Sequence, residues 1–117
     1  MRIGTLAFGL AILVAFAAAD AAAADKMRFW NTTTHTFVQL YMAKAGTDQW
    51  GPNQCENDKD KAVDADERLA LTGIEPGRYD VKLVEKSGKS CVLRDIEVKS
   101  GGAYAFSIGE EDLKQCR

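Results

Sequence analysis

The chain has 117 residues, with 15 Lys and Arg against 17 Asp and Glu, a formal charge of −2, one His and three Cys. This balance offers neither the basic patch that nucleic acid requires nor a basic amphipathic face for a membrane surface. A single histidine leaves no second imidazole for a metal or catalytic set.

Residues 1–24 read as a cleavable targeting segment. Arg2 supplies the positive end, Leu6 to Phe16 the apolar stretch, and Ala22 to Ala24 a small-residue cleavage site. The apolar run is short for a transmembrane helix. Export to the periplasm or outside the cell is therefore expected. Residues 25–117 are left to fold as one small domain, with no membrane span after cleavage.

From Met27 onward apolar residues alternate with polar ones, the period of a strand, and turn residues interrupt the runs. A first strand is expected over MRFWN, with Met27 and Phe29 on one side and Arg28 and Trp30 on the other. Asn31 to Thr33 matches a glycosylation sequon but reads better as a turn whose side chains bond the backbone. The second strand is expected from His35 to Lys44, with Val38, Leu40 and Met42 on one face and Phe37 and Tyr41 on the other. Gly46-Thr47-Asp48 makes a turn, and Trp50-Gly51-Pro52-Asn53 a stiff corner. Trp30 and Trp50 are considered as a ligand platform, although two Trp in a small β domain more often cover core.

Leu69 and Leu71 lead a third strand into Gly73. Pro76-Gly77 turns the chain into a fourth, with Tyr79, Val81 and Leu83 inward and Asp80 and Lys82 outward. Ser87-Gly88 closes a hairpin onto a fifth strand from Ser90 to Lys99. There Cys91 and Leu93 have the opposite parity to Ile96 and Val98, which a bulge near Arg94 or Asp95 reconciles. Tyr104, Phe106 and Ile108 form a last inward row, and Ser107 with Glu110 is expected to box a helical turn over 110–115. Together these predict an all-β fold: a small antiparallel two-layer β-sandwich, immunoglobulin-like or transthyretin-like, of about six strands with a short C-terminal helical turn. A small barrel is the alternative.

The acidic loop, residues 55–67, carries the one chemical motif. With Val63 at the eighth place of a calcium loop, Glu56, Asp58 and Asp60 fall at the first, third and fifth. Ala62 offers its carbonyl at the seventh, Asp64 falls at the ninth and Glu67 at the twelfth, where a bidentate carboxylate closes the shell. Lys61 stands where Gly normally makes the sharp turn, and Glu56 where Asp is usual, so any Ca²⁺ affinity is expected to be modest. The competing reading is a solvated surface loop.

Three Cys in an exported chain predict one disulfide and one free thiol. Cys91 with Cys116 would pin the terminal turn to the sheet; Cys55 with Cys116 is the alternative. Acidic neighbours raise the pKa of a Cys55 thiolate, against a nucleophilic role. Nothing pairs a nucleophile with a base, and no phosphate loop or His/Cys cluster is present.

Three segments, LYMAKAGTDQWGPN, PGRYDVKLVEKSGKSC and SIGEEDLKQC, resemble in order those of a family of small exported bacterial β-sandwich domains of unknown function. Those domains carry an LYxSxxGxDxWGPN-like segment, a PGxYDV hairpin and a terminal DDL-like turn with Cys. The resemblance spans nearly all of residues 27–116 and implies a secreted β domain without a recognised catalytic residue. The reading that results is a non-catalytic interaction or structural module that docks a protein or envelope component. A calcium-binding module on loop 56–67 is the first alternative and a small thiol-dependent enzyme the second.

Overall fold

The computed structural model describes residues 27–116; the targeting segment expected over 1–24 lies outside them. Six strands form two three-stranded sheets. They are β1 (Arg28–Asn31), β2 (Phe37–Lys44), β3 (Arg68–Ala70), β4 (Gly77–Glu85), β5 (Ser90–Val98) and β6 (Phe106–Ile108), followed by a one-turn helix α1 (Glu110–Leu113). One sheet has the order β3-β1-β6 and the other β2-β4-β5. The second sheet is antiparallel throughout, whereas β1 pairs antiparallel with β3 and parallel with β6. The parallel pair is possible because the chain leaves β5 and crosses to the other sheet before β6. The result is a small all-β sandwich.

Between the layers lie Phe29, Phe37, Leu40, Leu69, Val81, Leu83 and Ile108, each at most 1% exposed. Alternation places Tyr79, Val81 and Leu83 inward as expected. The bulge on β5 also falls where the parity conflict required it, since the register passes from Tyr79↔Ile96 to Val81↔Leu93 with Arg94 and Asp95 opposite Asp80. Asp95 takes φ +60 there, a left-handed conformation that Asp tolerates better than most residues.

Four details depart from simple alternation. A second irregularity, between Phe37 and Gln39, lets Phe37 reach the same core as Leu40 and Met42. Asp80 has the outward parity yet is only 2% exposed, because the turn at Gly46 and the β5 bulge both close over it. Tyr104 precedes β6 and stays 38% exposed, so the last inward row is Phe106 and Ile108 alone. Helix α1 is capped by Asp112, whose carboxylate accepts from Gly109 N–H at 2.8 Å, in place of the expected Ser107–Glu110 box.

The outer edge of β2 is closed by the segment that follows it. Gly51 N–H donates to Met42 O (2.9 Å), and Leu40 N–H donates to Asn53 Oδ1 (3.0 Å). Phe37 and Val63 exchange both backbone bonds, at 3.0 and 2.9 Å. The Trp-Gly-Pro-Asn corner thus does what an added strand would do, removing an open edge that invites pairing with other chains. A 3₁₀ turn (Gln54–Asn57) then leads into the acidic loop, capped by Asn53 accepting from Cys55 N–H at 3.0 Å.

Candidate functional site

Asn31 decides how the acidic loop is held. It is fully buried at the end of β1. Its side-chain amide donates towards His35 O (2.8 Å), Asp64 O (3.0 Å) and Val63 O (3.2 Å), while its Oδ1 accepts from Thr33 N–H and hydroxyl. This is the side-chain-bonded turn expected for Asn31 to Thr33, and it ties the second half of the loop to the first sheet. Asn31 N–H also donates to Glu67 O, and Asp66 N–H to Asn31 O.

The candidate ligands lie around this anchored loop. Lys61 adopts φ +58, so the backbone makes the sharp turn that the sixth place of a calcium loop needs, at the strain cost of a non-Gly residue. Glu56 pairs with Lys61 at 3.0 Å, and Asp58 accepts from Asp60 N–H at 2.8 Å. Asp64 accepts from the Thr36 hydroxyl at 2.9 Å, and Glu67 accepts from Asp64 N–H at 2.9 Å. Ala62 is half-buried beside Val63. Among the described residues no three His, Cys, Asp or Glu side chains converge as a ligand group; Glu56 is engaged with Lys61, Asp58 and Glu67 with backbone N–H groups of the loop, and Asp64 with Thr36.

Cys91 and Cys116 form the disulfide, with 5.0 Å between their Cα atoms. Cys55 remains a thiol, fully buried and donating to Phe37 O at 3.6 Å. Burial, then Asp58 and Glu56, push its pKa up to about 12, so it stays protonated through the neutral range. Next to the disulfide lies a recess of about 210 Å³ lined by His35, Glu85, Lys89, Glu110 and Leu113. His35 bridges there, its Nδ1 3.2 Å from Glu85 and its Nε2 3.8 Å from Glu110. Glu110 is held below the usual carboxylate range by Thr34 N–H, the Thr34 hydroxyl and His35. These contacts strap α1 to the β1–β2 turn.

The solvent face of the β3-β1-β6 sheet carries a group that sequence reasoning only half found. Trp30 belongs to it, but its neighbour is Tyr104, at 5.1 Å between ring centroids and tilted by 54°. Trp50, the expected companion, sits at the corner beside β2 in the other sheet. The Arg68 guanidinium lies 4.3 Å over the Trp30 ring, and the indole N–H donates to Asp66 at 3.1 Å. Register places Arg68 and Ser107 on either side of Trp30, and Arg28 one step along the same face. The signal available in sequence was the outward parity of Arg28 and Trp30; the position of Tyr104 had none.

The two sheets treat their arginines differently. On the β4–β5 side, Arg78 bonds Asp95 at 2.7 Å, and Arg94 bonds Asp80 at 3.0 Å and Asp48 at 3.1 Å. Among the described residues Arg28 and Arg68 have no carboxylate within 4.0 Å. Their charge faces solvent beside the aromatic pair.

Comparison with protein-family models, with curated proteins and with solved structures returned no match. The chain is thus placed by its own fold, a small all-β sandwich with one aromatic and cationic sheet face.

Proposed function

We propose that this chain is a non-catalytic exported binding module of the periplasm or cell envelope, which docks a partner on the outer face of the β3-β1-β6 sheet. The observation that carries this reading is the contrast between faces: two guanidiniums without carboxylate partners among the described residues flank the Trp30–Tyr104 pair, while the opposite sheet spends its arginines on internal ion pairs. Trp, Tyr and Arg are the residue types that dominate binding sites, because each offers large area or strong hydrogen bonds at small entropic cost. The buried Cys55 thiol and the carboxylate-bridged His35 supply this face with neither nucleophile nor base. The resemblance to small exported β domains points the same way.

A photoreactive phenylalanine analogue at position 104, introduced in cells that express the chain, tests the reading. A discrete adduct from that position and none from the same group at position 82, on the other sheet, is the expected result. Equal labelling at both positions, or none at either, overturns it.

The left-handed Lys61 favours one second reading, in which loop 56–67 takes up Ca²⁺ through Glu56, Asp58, Asp60, Ala62, Asp64 and Glu67. Binding then requires Glu56 to leave Lys61 and Asp64 to leave Thr36, which keeps the affinity low. On this reading calcium titration of the purified domain gives saturable heat and a raised melting temperature, both lost in Asp58→Ala/Asp60→Ala. No heat at millimolar calcium retires it.

A further inference from the structure

We infer that the outer face of the β3-β1-β6 sheet binds an acidic oligosaccharide, with Arg28 and Arg68 holding its carboxylates, Tyr104 lying against a sugar ring and Trp30 backing both Arg68 and Tyr104. This deepens the binding-module reading and rests on it, since it names the chemistry of the partner on the same face.

Charge selects an anion. Arg28 and Arg68 are exposed and lack carboxylate partners among the described residues, and they occupy diagonal positions of the β1–β3 ladder, Arg28 opposite Ala70 and Arg68 opposite Trp30. Diagonal neighbours stand about 7–8 Å apart, so two guanidiniums can grip one carboxylate together or neighbouring carboxylates singly. Stacking on Trp30 holds the Arg68 plane in place and leaves its in-plane N–H groups free for a bidentate contact. Because Asp66 fixes the indole through its N–H, Trp30 and the Arg68 stacked on it are set before a ligand arrives.

The rings select a partner with apolar faces. Tyr104 is the large apolar side chain that stays exposed among the described residues, at 38%, and its hydroxyl bonds no described residue. It stands free to lie along a sugar ring while its hydroxyl reaches a sugar hydroxyl. Size argues against a globular protein: strands of three or four residues make a platform of roughly 13 by 10 Å. A stable protein interface needs about 800 Å² from each partner, several times that footprint, whereas a short oligosaccharide fits it. Nucleic acid fits less well, because two guanidiniums beside Asp66 on a chain of net charge −2 make no track for closely spaced phosphates. Carboxylates spread over successive sugar rings match the spacing better.

The test is calorimetric titration of the purified domain with oligosaccharides of hyaluronate, polygalacturonate and alginate. Their carboxyl-reduced derivatives and a single-stranded DNA serve as comparison ligands. The expected result is saturable binding to at least one acidic oligosaccharide, lost when its carboxylates are reduced. Arg28→Gln/Arg68→Gln should weaken it about tenfold or more, Tyr104→Ala about fivefold, and Lys82→Gln, on the opposite sheet, should leave it unchanged. No binding to any of the three, binding indifferent to the arginine variant, or tighter binding to the DNA overturns the inference. A discrete protein adduct from position 104 in cells also overturns it but preserves the binding-module reading. Loss of that adduct altogether removes both.

Discussion

Replacing Cys91 and Cys116 with Ala lowers the unfolding free energy by about 3.5 kcal/mol, the chain-entropy value for a closed loop with a sequence separation of 25. For a domain of this size that corresponds to a fall in melting temperature of roughly 15–25 °C. The loop encloses β6, whose three residues pair with β1, and α1, which makes a single turn. Elements so short hold poorly alone. The contacts that remain include the Thr34–Glu110 bonds, the Thr32 bonds to Ile108 O, and the packing of Phe106, Ile108 and Leu113 on the core. Thermal melts with and without a thiol reductant, together with peptide mapping of the disulfide, check the result. An unchanged melting temperature on reduction, or a mapped bridge to Cys55, would refute it.

The second large effect is at Asp80, where Ala costs roughly 3 kcal/mol. The carboxylate accepts from Gly46 N–H at 3.0 Å, Asp95 N–H at 2.9 Å and Arg94 at 3.0 Å, while only 2% exposed. Truncation strands two backbone donors and breaks a partly buried ion pair, each a recognised source of large losses. Asp80→Asn loses less, because its carbonyl still accepts one N–H while its amide turns donors towards donors. The neighbouring bulge should loosen as well, since Asp95 at φ +60 is held by the bond that Asp80 provides.

The pH dependence of this effect has a definite sign. Burial opposes the ionised form of Asp80, but the N–H groups of Gly46 and Asp95 and the Arg94 guanidinium outweigh it and hold the pKa below the usual carboxylate range. A depressed folded-state pKa stabilises above the unfolded value, near 4, and that contribution disappears as pH falls through the lower folded value. The gap between wild type and Asp80→Asn in urea unfolding is therefore full at pH 7 and shrinks below about pH 4. A gap of the same size at both ends would show that the carboxylate charge is not what matters.

The sequence by itself determined the strands, because alternation depends only on near neighbours. Tyr79, Val81 and Leu83 faced inward as their period required, and the parity clash of Cys91 and Leu93 with Ile96 and Val98 located a bulge to within a residue. Asn31 was legible as a turn because Asn bonds its own backbone two residues on. The spacing of Glu56 to Glu67 was also readable, but spacing does not say where side chains go. That loop's shape depends on Asn31, Thr36 and Lys61, two of them far away in the chain. Tertiary structure alone decided the rest. Asp80 has the parity of a solvent residue and is buried because a turn 34 residues earlier folds over it. Trp30 meets Tyr104 and Arg68, not Trp50, because β1 lies between β3 and β6, and sheet order is set by long-range packing that no local period encodes. The disulfide lies between the two: Cys91 with Cys116 was the pairing expected ahead of Cys55 with Cys116, and the crossing of β6 beside β1 carried Cys116 to Cys91.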